Sequence, residues 1–148
     1  MTPSDSSVVF RSTLPGLTRQ SLERFARVLQ HRLLVGHGFC CLIADDSELR
    51  RLNREFRHSD TVTDVLSFPS GAANGFLGDV AISADRAAAQ AVQHGHGVDA
   101  EIRILMLHGA LHLAGMDHER DRGEMARAET KWRKIFGLPT GLIERVES

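Results

Sequence analysis

Three of the chain's eight histidines lie close together in the segment HGALHLAGMDH, at positions 108, 112 and 118. Residues four apart share one face of an α-helix, so His108 and His112 are predicted to converge. Gly115 is a natural helix end, because glycine adopts the left-handed conformation at low cost, and the returning chain can bring His118 to the same point. Three neutral imidazoles with an open fourth position are typical of a catalytic zinc site.

These histidines also have a simpler interpretation, as packed or hydrogen-bonded residues of a helix. Burying three imidazoles in an apolar helix without a partner would cost free energy, however. A bound metal ion also gives both the glycine and the third histidine a geometric role. We therefore favour His108, His112 and His118 as the ligands of one metal ion.

The spacing matches the H-E-x-x-H-x-x-G-x-x-H pattern of metzincin proteases except at its second position, which is Gly109. Glycine cannot take a proton from water, which argues against peptide hydrolysis by the protease route and leaves the Lewis-acid role of a metal intact. Asp117, beside His118, is the nearest carboxylate in the sequence. We favour Asp117 as a turn residue or as a partner that orients a histidine, over a catalytic base.

A second candidate for chemistry is an arginine that follows a predicted helix. Arg50, Arg54 and Arg57 share one side of that helix, and for Arg50 and Arg54 we favour a solvated helix face. Arg57 differs because it lies at the helix end and enters the loop RHSDTVTDVLSF. A guanidinium at this position could bind a phosphate through two parallel hydrogen bonds.

Hydrophobic periodicity and capping signals predict the elements that must position these residues. Strands are predicted at residues 7–10, 39–44, 62–68 and 76–83. Helices are predicted to begin near Thr18, Asp45, Ser83, Asp99 and Arg122. In the second helix, Leu49, Leu52 and Phe56 form the predicted inward stripe.

The order β-α-β-α-β-β-α-α-α predicts an α+β fold, with a mixed four-stranded sheet covered by about five helices. The short loop between the last two strands predicts that they are antiparallel neighbours. The helix that carries His108 and His112 is apolar nearly all round, so we expect it to be central and buried.

Composition narrows the class of protein. The 148 residues fit one domain spanning 1–148, and the net charge of −1 argues against non-specific coating of nucleic acid without excluding a local basic patch. No apolar run is long enough to span a bilayer, and the first ten residues lack the features of a signal peptide.

The adjacent Cys40 and Cys41 are expected to be small buried hydrophobes in a reducing compartment, so we expect a cytoplasmic protein.

Three segments together resemble one family. FRHSDTVTDVLSFP, then LGDVAIS, then HGALHLAGMDH are similar to the YbeY family of bacterial ribosomal RNA maturation factors, from about Leu42 through the last helix. The resemblance implies an α+β fold and one metal ion, taken as zinc, held by His108, His112 and His118. It also places the family's functional arginine on Arg57. The family motif has a tyrosine where this chain has Met116, which puts in doubt any role for a phenol near the site.

The resemblance implies a single-strand-specific endoribonuclease that matures the 3′ end of small-subunit ribosomal RNA and acts in ribosome quality control. The implied partners are ribosomal RNA, the small ribosomal subunit and ribosome-associated proteins, with no membrane. Two alternatives stay open: a non-catalytic ribosome assembly factor with a structural metal, and another metallohydrolase such as a peptidase. For the nuclease, we predict attack by water activated at the metal, because the three best acid and base candidates are occupied as ligands. His58 and Asp117 stay open as alternative acid or base residues.

Overall fold

The computed structural model describes residues 5–59, 63–71 and 75–147. Within these ranges the strands are β1 (Ser7–Phe10), β2 (Gly38–Ala44), β3 (Val65–Pro69) and β4 (Phe76–Ser83). The helices are α1 (Arg19–Arg32), α2 (Asp46–Arg57), α3 (Ala84–His94), α4 (Val98–Leu113), α5 (Glu124–Ile135) and α6 (Leu142–Glu147). None of these helices is long and apolar enough to cross a membrane.

The four described strands form one mixed sheet in the order β1-β2-β4-β3. β1 pairs with β2, and β2 with β4, in parallel, whereas β3 and β4 are antiparallel as predicted. β3 is therefore an edge strand. On it, Ser67 lies opposite Val80 of β4, and Phe68 lies opposite Asp79. Because successive side chains of a strand point to opposite faces, Ser67 and Phe68 serve different sides of the sheet.

α4 is the central helix of the fold, as its all-round apolar sequence predicted. Most of its residues are buried, and it contacts the sheet as well as α1, α3, α5 and α6. Ile102, Leu105 and Met106 have no exposed surface. Burial of a side chain of this size stabilises a fold by about 1.5–3 kcal/mol, so α4 is firmly fixed on the sheet. A smaller cluster, built on Leu49 and Leu66, joins α2 to the opposite face.

Local signals placed most helix starts correctly. The Asp45 side chain accepts a hydrogen bond from the Glu48 N–H at 2.9 Å, and Ser83 Oγ accepts one from the Arg86 N–H at 3.1 Å. Both satisfy backbone donors that a first helical turn leaves without partners. Thr18 is the residue before α1, but its side chain makes no capping hydrogen bond.

Three features of the fold differ from the sequence prediction. Phe56 is 58% exposed, because the inward face of α2 runs through Leu49 and the buried Asn53 and leaves Phe56 at its edge. The short α6 was not predicted, since the Gly137 and Pro139 signals indicated the end of the helical region. β3 begins at Val65, so residues 63 and 64 of the predicted strand are not part of it, and residue 62 lies outside the described residues.

Cys41 is fully buried and Cys40 is half-buried, and both are free thiols. Burial raises the pKa of the Cys41 thiol, which keeps it protonated and unreactive. The expectation of two small buried side chains is therefore confirmed for Cys41, whereas Cys40 is only partly buried.

Candidate metal centre

The three predicted ligands converge in the structure. His108 and His112 project from the last turns of α4, and His118 reaches the same point from the following turn. One nitrogen from each ring can be chosen so that all three lie within 4.8 Å of one another. Because metal–nitrogen bonds are about 2.0–2.1 Å long, the three rings would move closer together around one ion.

The turn after α4 explains how His118 returns to the helix. Gly115 has φ +96°, its N–H donates to the His112 carbonyl at 2.9 Å, and the Met116 N–H donates to the Leu111 carbonyl at 3.1 Å. This pair of hydrogen bonds is the Schellman motif, which needs a left-handed residue at the glycine position. The predicted helix end at Gly115 is therefore part of the geometry of the site.

Hydrogen bonds fix the orientation of two of the rings. His108 Nδ1 lies 2.7 Å from Glu129 Oε2, and His112 Nδ1 lies 2.9 Å from the Met116 carbonyl oxygen. A carboxylate and a carbonyl accept hydrogen bonds, so both Nδ1 atoms carry the proton and both Nε2 atoms are left with a lone pair for a metal. Since Met116 acts through its backbone, this contact does not depend on the side chain at that position.

Electrostatics favour the ligand form of the imidazoles. Burial, followed by the nearby charge of His108, lowers the pKa of His112 below its usual value. The neutral ring is the form that binds a metal, so His112 needs no costly deprotonation at neutral pH.

Glu129, which orients His108, was missed by the sequence analysis. It lies on α5, has no exposed surface, and its Oε1 accepts a hydrogen bond from the Ile143 N–H of α6 at 2.7 Å. A Cβ atom at Gly141 would lie 2.5 Å from Oε1, so a larger residue there would displace the carboxylate. The sequence contained one signal that could have indicated Glu129. It is a carboxylate four residues after Met125, on the inward face of an amphipathic helix.

Close packing explains why Gly109 replaces the glutamate of the protease pattern. A Cβ atom at Gly109 would lie 2.6 Å from Val80 Cγ1, closer than van der Waals contact allows. Ser67 Oγ also donates a hydrogen bond to the Gly109 carbonyl at 3.1 Å. This position faces the sheet, so a glutamate here could not be accommodated without displacing Val80.

A cleft of about 460 Å³ opens in front of the three histidines. Arg57 lines this cleft, and its Nη1 donates to the Ser67 carbonyl of β3 at 3.0 Å. Arg50 and Arg54 do not line it. The structure thus places Arg57, and not Arg50 or Arg54, at the cleft.

The cleft also contains residues to which sequence reasoning gave little weight. Arg120 lines it, with its side chain 89% exposed, and adds a second guanidinium to the cleft wall. Asp117 lines it too, but its Oδ1 accepts the Glu119 N–H at 3.1 Å and its Oδ2 lies 3.5 Å from Arg120 Nε. These contacts support the interpretation of Asp117 as a turn residue.

The fold and the site together define a class: an α+β protein with a three-histidine group, able to hold one metal ion, in a cleft flanked by arginines. The family model described as Endoribonuclease YbeY matches residues 7–137. The chain belongs to this family, which confirms the resemblance stated above.

Individual relatives agree with this assignment. A protein named Endoribonuclease YbeY from Solibacter usitatus is 59% identical over 146 residues, which cover 99% of this chain and 98% of that protein. A protein of the same name from Helicobacter pylori strain G27 is 41% identical over 127 residues, covering 85% and 87%. The solution structure of a Thermotoga maritima protein covers 88% of this chain and 89% of that one, with a TM-score of 0.59 and 24% identity, and shows the same fold.

Proposed function

We propose that this protein is a zinc-dependent endoribonuclease that cleaves single-stranded RNA. The observation that carries the proposal is the convergence of His108, His112 and His118 in one cleft with Arg57. Membership of the endoribonuclease YbeY family supports the reaction type. The absence of a side chain at Gly109 argues against the peptidase alternative, because nothing at that position can act as the general base.

Each residue of the site has a proposed role. The three histidines would hold one zinc ion through neutral nitrogens, with Glu129 fixing the ring of His108. When bound, zinc supplies a Lewis acid for a phosphoryl oxygen and lowers the pKa of water to about 7. Arg57 would bind the phosphate at the cut site. Its contact with Ser67 occupies one of five N–H donors and leaves the others for phosphate oxygens.

The proposed substrate is ribosomal RNA, in maturation of the 3′ end of the small-subunit molecule and in ribosome quality control. The resemblance of the three sequence segments supports this substrate. A net charge of −1 provides little general attraction for RNA. We therefore propose that the small ribosomal subunit and ribosome-associated proteins bring this cytoplasmic enzyme to its cut site.

The decisive experiment measures bound metal and RNA cleavage on the same preparation. Protein with stoichiometric zinc should cut a single-stranded RNA, lose activity on chelation and regain it on zinc addition. Circular dichroism of the chelated protein separates loss of the metal from loss of the fold. A folded, fully loaded protein that leaves single-stranded RNA intact would contradict the proposal and favour an assembly factor with a structural metal.

A further inference from the structure

A second hollow lies on the other side of the edge strand β3. It has a volume of about 300 Å³ and is lined by α2 and by the sheet face opposite α4, with Leu42, Leu52, Phe56, Phe68 and Ala81 among its residues. These side chains are predominantly apolar. The hollow is separate from the histidine cleft, and the roles assigned above to the cleft residues make no use of it.

An aromatic pair forms the outer part of this hollow. The rings of Phe56 and Phe68 meet edge to face, with centroids 5.8 Å apart and planes inclined at 70°. Phe68 is half-buried, whereas Phe56 is 58% exposed. The exposed part of the Phe56 ring does not pack in the core. It leaves an aromatic face on which a flat partner can stack.

The hollow borders the histidine cleft along two chain segments. On β3, Ser67 and Pro69 line the cleft, while Phe68 between them lines the hollow. At the end of α2, Arg57 lines the cleft and the preceding Phe56 lines the hollow. Adjacent residues of both segments thus line the cleft and the hollow, so a strand of RNA that crosses the edge of β3 can reach both the Arg57 guanidinium and the exposed Phe56 ring.

One polar group indicates the chemistry of the occupant. Asp79, opposite Phe68 on β4, lines the hollow and is exposed. Its carboxylate accepts no hydrogen bond from the residues that the structure describes. Desolvation raises the pKa of this carboxyl group, so the surrounding apolar side chains shield it from part of the water. An aromatic surface beside an acceptor matches a nucleobase, which has a flat face and N–H donors on its edge.

We propose that this hollow is a nucleobase subsite, in which Phe56 stacks on a base of the RNA strand whose phosphate lies at Arg57. Asp79 accepts a hydrogen bond from an N–H group of that base. The subsite rests on the proposed function, since it takes the same single-stranded substrate and extends its binding beyond the phosphate. Stacking alone accepts any base, so the subsite serves to select unpaired over paired RNA.

The test is a double-mutant cycle between Phe56 and the base. A series of RNA oligonucleotides carries one abasic position at a time around the cut site, and cleavage is measured for wild-type protein and for Phe56→Ala. In the wild type, one abasic position should raise KM about tenfold. In Phe56→Ala the intact RNA should show this higher KM, and the abasic change should add nothing further. Phe56→Trp should restore the wild-type pattern.

Binding provides a readout that does not depend on cleavage. An oligonucleotide with 2-aminopurine at the sensitive position should lose fluorescence on binding to zinc-loaded wild type, and much less with Phe56→Ala. Val92→Ala is the matched control, because Val92 is 84% exposed on α3 and lines neither the cleft nor the hollow. It should behave as wild type, and equal melting temperatures would show that all variants are folded.

The possible failures are distinguishable. If wild type cleaves RNA but the abasic positions raise KM equally for wild type and for Phe56→Ala, the proposed subsite is wrong. The proposed nuclease function is then unaffected. Unchanged RNA affinity and cleavage in Phe56→Ala would likewise overturn the subsite. If zinc-loaded wild type neither cleaves RNA nor quenches 2-aminopurine, both proposals fail.

Discussion

His108 Nδ1 lies 2.7 Å from Oε2 of Glu129, a carboxylate with no exposed surface. This hydrogen bond connects the candidate metal centre to the C-terminal part of the chain, because the other oxygen of Glu129 accepts the Ile143 N–H of α6. A carboxylate behind a ligating histidine fixes its tautomer and raises its basicity. The short helix at the end of the chain therefore contributes to the centre without lining the cleft.

The first prediction concerns Glu129. Glu129→Gln should weaken zinc binding by about 10–100-fold, because the neutral amide holds the His108 ring less firmly and no longer raises its basicity. Competition against a chromophoric chelator measures this affinity. Glu23→Gln, a partly exposed carboxylate of α1, is the matched control and should bind zinc as wild type does. An unchanged affinity in folded Glu129→Gln would show that the carboxylate does not tune the site.

The second prediction concerns the ligands themselves. Replacing His108, His112 or His118 with Ala should in each case lower bound zinc sharply, because a site with three protein ligands has none to spare. Metal analysis of the purified variants measures the stoichiometry. His31→Ala, an exposed histidine of α1, should retain one zinc per chain. Full retention of zinc by His118→Ala would contradict the role of the turn at Gly115.

The third prediction concerns Arg57. Arg57→Ala should keep its fold and its zinc but lose RNA cleavage by about a hundredfold, as expected for loss of a group that stabilises charge on the reacting phosphate. Lys should restore activity only in part, because it offers a point charge in place of a planar fork. Arg54→Ala, from the same helix but outside the cleft, is the control. If Arg57→Ala unfolds, the contact with Ser67 is structural and the assigned role fails.

The fourth prediction concerns the packing of α4 on the sheet. Gly109→Ala should destabilise the protein by about 1–3 kcal/mol, because its Cβ would overlap Val80 by more than the gain in helix propensity can offset. Urea unfolding measures the free energy. The double variant Gly109→Ala/Val80→Ala should be destabilised by less than the sum of the two single changes. Strictly additive losses would show that the strain lies elsewhere.

The fifth prediction concerns the products of RNA cleavage. Attack by the neighbouring 2′-hydroxyl commonly needs a base and an acid, two titratable side chains. Among the described residues that line the cleft, the histidines are the proposed ligands and Asp117 is bound in its turn, which leaves Glu119 as the one further carboxylate. We therefore expect attack by water, which leaves 5′-phosphate and 3′-hydroxyl ends.

Mass spectrometry of the cleavage products tests this expectation. An RNA with a single 2′-deoxy residue at the cut site should still be cleaved there, because water does not need the 2′-hydroxyl. A 2′,3′-cyclic phosphate, or full protection by the deoxy residue, would show that the 2′-hydroxyl is the nucleophile.

Much of the candidate centre could be predicted from sequence because it is built from local geometry. The four-residue spacing of His108 and His112 fixes their shared face through the helical period, and Gly115 ends the helix through its own conformational freedom. The strands β1 and β4, the caps Asp45 and Ser83 and the antiparallel pairing of β3 with β4 follow from patterns within a few residues. Such signals act over short distances and do not depend on the rest of the fold.

Tertiary structure alone decided the features that join distant segments. Glu129 is 21 residues from His108, and its role depends on how α5 and α6 pack, which helical periodicity does not describe. The close approach of Gly109 to Val80 and the exposure of Phe56 depend in the same way on where helices sit on the sheet. The sequence determined which side chains could bind a metal and a phosphate. Tertiary packing determined which residues orient those side chains and which surface lies beside them, because packing depends on contacts between segments far apart in the chain.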